Sequence, residues 1–523
     1  MPKNILIFFI LIAFSQHLFC QDIDVLHYRY RLEVTDRNDT LTGMAVVTFV
    51  LQSERHLATL DLAGINQNGK GMMVKYVGAG TYELKFTHER DKLLIGLPKN
   101  KMGDTLKIWI VYNGIPADGL IISKNKYGDR TFFADNWPNR AHQWVPCKDV
   151  PADKASVEFT VTAPAHYNVI SNGVLIEEKE LGYGKKETHW KEDNPIPTKI
   201  MVIGIARFAT KTFKDSPKDI PVSAWVYPQD STKGFYDYAL AVPILKFFTE
   251  YIGPYPYQKL ANVQSKTIFG GMENASAIFY AENTVTGNRS SEELMAHEIA
   301  HQWFGNTASE KIFAHLWLSE GFASYLTDIY VEHKYGKDSM IRKMQKERMQ
   351  VIQFAARSPN AVVDTTSILM DLLNANSYQK GAWVLHMLRS EVGDSTFHQI
   401  IKTYYGLYKG SNADTRDLQA VAENVSGKNL KLFFDQWLYT PGIPVLMVQQ
   451  QLSANEVQIK ITQQRGLFHF PIEIGLVKEG GEMQIEKIEV TEKETVYKTK
   501  ISGVKKVLID PNGKLLFAQM PGK

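Results

Sequence analysis

Between residues 24 and 205 apolar and polar side chains alternate with a period of two. Tyr28, Tyr30, Leu32 and Val34 are interleaved with His27, Arg29, Arg31 and Glu33, so successive side chains point to opposite faces of a half-buried antiparallel strand. The alternation continues through 44–51, 107–112 and 156–161, with Gly, Pro, Asn and Asp between the runs. This pattern predicts a β-sandwich or saddle-shaped sheet domain over 21–205. From Gly234 the period lengthens to that of helices, over 234–252, 291–307, 318–335, 338–356, 378–393, 395–408 and 429–439. Two strand-like pieces, 222–227 and Thr267-Ile268-Phe269, lie in this zone, so a small sheet is expected beside the helices of a domain over 206–442. Period two returns after Ile443, in 457–461 and 471–476, and predicts a smaller β-sandwich over 443–523. The expected fold is therefore multidomain α+β, with a helix-rich domain between two β domains.

Composition narrows the chemistry. With 44% hydrophobic and 22% charged residues among 523, the chain has the make-up of a folded globular protein. The 59 Lys+Arg against 56 Asp+Glu form no basic block, which argues against a nucleic-acid partner. Two cysteines exclude a disulfide framework and a Cys-rich metal cluster, and leave the 14 His, the acids and the 24 Tyr to carry any reaction. At the N-terminus, Lys3 precedes an apolar run from Ile5 to Phe14 and then Ser15-Gln16-His17-Leu18-Phe19-Cys20. This reads as an export signal over 1–20, shorter than the roughly 20 apolar residues that span a bilayer. A periplasmic or secreted protein without stable membrane insertion is expected. Lipid anchoring through Cys20 is the less favoured alternative, because His17 and Phe19 stand where a lipidation box has an aliphatic and a small residue. Removal of 1–20 leaves Cys147 with no intrachain partner.

His297-Glu298-Ile299-Ala300-His301 falls within a helical stretch that opens on Ser290-Ser291-Glu292-Glu293, good helix-start residues. Positions i and i+4 share a helix face, so His297 and His301 can reach one Zn²⁺ while Glu298 contacts a water on it. Gly and His at three and six residues after His301 would mark a metzincin, but Phe304 and Thr307 stand there. Glu320 begins a second helical stretch 19 residues on, and an antiparallel helix pair would bring it to the imidazoles; His315 is the competing third ligand. Two His and one Glu leave a fourth position to water, the open arrangement of a catalytic rather than a structural zinc. One Zn²⁺ per chain is expected. Zinc lowers the pKa of bound water toward about 7, Glu298 takes the proton as that water attacks a carbonyl, and a donor must meet the developing oxyanion. Asn306, Ser324 and Asp328 are candidates by spacing to orient the two imidazoles.

These residues resemble the M1 zinc aminopeptidases, or gluzincins. Gly270-Gly271-Met272-Glu273-Asn274 is similar to that family's exopeptidase motif and lies upstream of the zinc motif, with Glu320 at the family spacing. The resemblance implies a thermolysin-like catalytic domain and peptide substrates with a free N-terminus. It further implies that Glu273 holds the substrate α-amine, beside Gly270, Gly271, Met272 and Asn274. Tyr378, in Tyr378-Gln379-Lys380-Gly381, resembles the tyrosine that stabilises the tetrahedral intermediate. Trp144-Val145-Pro146-Cys147-Lys148-Asp149 is a further likeness, read as structural, with Cys147 a packed thiol. Two departures stand out. The chain resembles a short form without the C-terminal helical domain of many members, and Asp135-Asn136-Trp137 replaces a Gln-bearing stretch near the first specificity pocket. Endopeptidase action, hydrolysis of a lipid epoxide and a non-enzymatic peptide-binding role are the competing readings.

Overall fold

The computed structural model describes residues 23–520; the expected export signal and Cys20 lie outside the described residues. Strand Ile23–Glu33 buries Tyr28, Tyr30 and Leu32 on one face. A bulge between Val25 and His27 shifts the alternation by one, so Val25 shares that face. The strand pairs antiparallel with Leu41–Leu51 and parallel with Lys154–Pro164 near the middle of an eight-stranded sheet. A three-stranded sheet and a four-stranded sheet complete the N-terminal β region. Tyr30, Phe159 and Trp144 stack in its core. Cys147 is a buried free thiol whose pKa burial raises far above the ordinary value.

The middle region joins a five-stranded sheet to a set of helices. Its strands run in the order Ala209–Thr212, Val222–Val226, Leu260–Ser265, Ala277–Ala281 and Gly271–Met272, the last antiparallel at the edge. The strand expected at Thr267-Ile268-Phe269 is a loop. The buried Asp135 carboxylate accepts from Thr267 Oγ1 (2.9 Å) and Ile268 N (3.0 Å), so those groups are bound to a side chain instead of a ladder.

The helices of eight or more residues are α1 (Ser231–Tyr238), α2 (Ala241–Tyr251), α3 (Glu292–Ala300), α4 (Trp317–Tyr335), α5 (Lys337–Ala355), α6 (Gly381–Val392), α7 (Asp394–Tyr408) and α8 (Thr415–Ser426), and the helix expected over 429–439 is a short turn, Lys431–Phe434, continued by a π-turn to Tyr439. The single helix expected over 234–252 is divided into α1 and α2, because Pro243 has no N–H to donate to the Ala239 carbonyl. Helix α3 stops well short of residue 307: the chain turns after His301 and reaches Gly305 at φ +112°. Helix α8 was not expected. Its local signal is present, with an Asp414–Asp417 capping box at the start and Gly427 at φ +68° past the end. Helices α4 and α6 approach so closely at Gly321 that an added Cβ would lie 2.9 Å from the Gly381 Cα. The C-terminal region is a four-stranded sheet with a three-stranded sheet, the strands including Val457–Arg465 and Phe470–Lys478. Among the described residues no helix is long and apolar enough to cross a membrane.

Candidate metal and peptide site

Helix α3 carries His297, and His301 follows its last residue; Glu320 comes from the first turn of α4, packed alongside. Glu320 Oε2 is 3.2 Å from His297 Nε2 and 3.2 Å from His301 Nε2, and the two Nε2 atoms are 3.1 Å apart. Burial alone would lower the His301 imidazole, but the Glu320 carboxylate outweighs it and lifts the group to about 9. Burial dominates at His297 and lowers it. Burial works to raise Glu320, yet the imidazoles hold it far below the usual carboxylate range. Two imidazole nitrogens and one carboxylate oxygen converging within 4.8 Å form a donor set that fits Zn²⁺.

The ligand tautomer is set from behind. His301 Nδ1 donates to the Phe304 carbonyl at 3.1 Å, with Ser319 Oγ also 3.1 Å away, which leaves the Nε2 lone pair for a metal. None of the three orienting candidates does this. Asn306 Nδ2 donates to the Glu273 carbonyl (2.6 Å), Asp328 pairs with Lys343 (2.8 Å), and Ser324 lines the cleft. His315 is turned to Thr415, with Nδ1 2.9 Å from Oγ1, and takes no part in the triad. Gly305 allows the tight return of the chain: a Cβ there would overlap Ser319 Oγ and lie 2.9 Å from His301 Nδ1.

Gly271 and Met272 form an edge strand beside α3, paired with Tyr280 and Phe279. A Cβ on Gly271 would overlap the Glu298 carboxylate, so glycine is what allows strand and acid to sit together. Met272 and Asn274 are buried, and the Gly270 carbonyl accepts from Ala281 N (3.0 Å), tying the segment to the sheet. Gln302 grips the following turn at both ends, Nε2 donating to the Glu273 carbonyl (2.8 Å) and Oε1 accepting from Ser276 N (2.9 Å). The Glu273 carboxylate is 5% exposed and its Oε1 has no hydrogen-bond partner. Glu298 is equally buried, and burial raises its carboxyl well above the ordinary range. Tyr378 sits in a π-turn, Asn376–Lys380, at the start of α6 and stacks on His297 with ring centroids 5.9 Å apart. Burial, and then Glu320, pushes its phenol far above its usual pKa, so the hydroxyl keeps its proton. Glu273, Glu298 and Tyr378 line one cavity of about 400 Å³ with the His297, His301 and Glu320 triad.

Sequence reasoning missed Gln302, Ser319 and Lys199. Lys199 is buried at the junction with the N-terminal β region, and its Nζ is 2.6 Å from Glu310 Oε1. A fully buried lysine leaves no mark in a periodic pattern; the Gln immediately after His301 was the one local signal available.

An open two-His, one-Glu centre beside an edge strand defines a zinc metallopeptidase type of site. The comparisons agree: residues 236–437 match the Peptidase family M1 domain and residues 25–200 the Peptidase M1 N-terminal domain. The chain belongs to peptidase family M1, and the cofactor of that site is Zn²⁺. It is 30% identical over 324 residues to Aminopeptidase M1-B of Oryza sativa subsp. japonica, covering 58% of this chain and 36% of the relative. The chain spans about two fifths of the length of several other curated relatives. Its fold is similar to that of Legionella pneumophila aminopeptidase A, solved in complex with aspartic acid (TM-score 0.82, 18% identity, 96% of this chain and 60% of that one). It is also similar to that of an M1 zinc metallopeptidase from Deinococcus radiodurans (TM-score 0.69, 22% identity, 80% and 93%).

Proposed function

We propose that the protein is a zinc aminopeptidase that removes N-terminal residues from peptides, with Glu298 as general base. The observation that carries this reading is the buried, unpartnered Glu273 carboxylate oxygen in the cleft of the His297, His301 and Glu320 triad. A carboxylate held without a donor is matched to a cationic group, and a peptide's α-ammonium is the one that would lie next to a scissile carbonyl. His297, His301 and Glu320 would hold Zn²⁺, which when bound polarises the carbonyl and makes water more acidic.

The chain's own residues supply the rest. Glu273 binds the α-ammonium, and the edge strand Gly271–Met272 aligns the substrate backbone beside α3. Glu298 Oε takes the proton from the attacking water and passes it to the departing amine. The Tyr378 hydroxyl, uncharged and protonated, donates to the carbonyl oxygen as negative charge develops there. An endopeptidase would have no use for Glu273.

A panel of aminoacyl fluorogenic substrates together with zinc analysis tests the reading. Glu298→Gln is expected to lower turnover by about 10³-fold or more while zinc content stays at one per chain. Retained turnover in that variant overturns the mechanism. Equal turnover of free and N-acetylated peptides overturns the exopeptidase assignment.

A further inference from the structure

The cleft extends beyond the triad, away from Glu273, to a second cluster of charge. Along α3, Glu293 lies one helical turn before His297 and on the same face. Along α4, Ser324 and Thr327 follow Glu320 at one and two turns, and Asp328 is buried next to Thr327. Lys343 and Glu347, one turn apart on α5, close the end, and Glu293, Lys343 and Glu347 all line the same cavity as the triad. Lys343 Nζ is shared between Asp328 Oδ1 (2.8 Å) and Glu347 Oε1. Two carboxylates thus meet one ammonium, and Glu293 lines the same cavity. Glu347 is 7% exposed, and its Oε2 has no hydrogen-bond partner.

The orientation of a bound peptide follows from the ends of α3. The Glu273 carbonyl is gripped by Gln302 and Asn306, just past His301, whereas Glu293 stands at the opposite end of the helix. A peptide with its amine at Glu273 and its scissile carbonyl at the triad therefore runs its next residue toward Glu293 and Glu347. We propose that this end of the cleft is a subsite for a cationic side chain, that of Lys or Arg, on the residue that follows the scissile bond. The inference rests on the aminopeptidase reading above and adds the class of peptide it prefers. An incoming ammonium or guanidinium supplies the donor that Glu347 Oε2 lacks and favours the ionised form of a carboxyl that burial otherwise raises, while an acidic side chain meets Glu293 as a like charge.

The test uses the full-length zinc-loaded protein and tripeptide amides of the form X-Arg-Gly and X-Glu-Gly, where X is the residue best cleaved as an aminoacyl anilide. The Arg peptide is expected to exceed the Glu peptide in kcat/KM by at least about tenfold, the difference residing mainly in KM. Glu347→Gln should bring that ratio down several-fold. Glu293→Gln, at an exposed position that does not threaten folding, should lower it by a smaller factor. Calorimetric titration of the same peptides into Glu298→Gln should give the same order of affinity without turnover. Anilide cleavage with equal kcat/KM for the two peptides overturns the subsite and leaves the aminopeptidase reading intact. A preference for the Glu peptide also overturns it and assigns recognition to Lys343. Absence of both anilide and peptide cleavage overturns the two readings together.

Discussion

Glu310 and Glu273 are both buried glutamates in the field of Lys199, and they are treated in opposite ways. Glu310 takes the ammonium at 2.6 Å in a pair with side-chain exposures of 1% and 0%, bracing the N-terminal β region against the short strand Ala308–Glu310 of the middle region. Burial opposes the charge on Lys199, but Glu310 first and then Glu273 more than offset it and raise its pKa. Each acid keeps one oxygen that nothing donates to, but among the described residues no ion pair forms at Glu273, although Gln302 and Asn306 hold its backbone firmly. The difference separates structural from ligand-directed burial. A paired acid lowers the energy of the folded chain by itself, whereas an unpaired one is stabilised when a cation arrives.

The comparison can be broken most forcefully at the pair. Lys199→Met leaves Glu310 uncompensated in the interior and is expected to destabilise the protein by about 3–5 kcal/mol in chemical unfolding, with the Lys199→Met/Glu310→Leu double variant regaining most of it. Equal stability of single and double variants would mean that Glu310 does not depend on Lys199. Next in size is Tyr378→Phe, which touches the ligand side alone: kcat should fall by about 10²-fold with the melting temperature unmoved. Glu273→Gln sharpens the contrast directly. Removing an unpaired buried charge should leave stability unchanged or slightly raised, while kcat/KM on free-amine substrates falls by about 10–100-fold; a loss of stability like that of Lys199→Met would place Glu273 with the structural acids. The smallest effect is expected at Ser319→Ala, where loss of a neighbour to His301 Nδ1 should weaken zinc affinity by about tenfold in a chelator competition.

How much could be read without coordinates follows the same division. Tyr28, Tyr30 and Leu32 announced a buried strand face because strand geometry is periodic, and His297 with His301 announced a shared helix face for the same reason. Errors arose where a distant or non-periodic group decides the backbone. Asp135 holds 267–268 as a loop across more than 130 residues, Pro243 divides a helix, and the chain turn through Gly305 ends α3 early. Helix α8 was legible through Asp414, Asp417 and Gly427, with Leu418, Val421 and Ala422 on its buried face.

By itself the sequence determined which local elements form and which side chains share a face, because helix and strand periods act over a few residues. It also determined the metal-ligating types and the glycine at 271. Only the tertiary structure decided which buried acids have partners. Lys199 meets Glu310 across 111 residues, Asn306 reaches back to Glu273 across 33, and α5 brings Lys343 and Glu347 to the end of a cleft begun on α3. Pairing of a buried charge depends on which atoms lie within a few ångströms, and no periodicity along the chain encodes that distance.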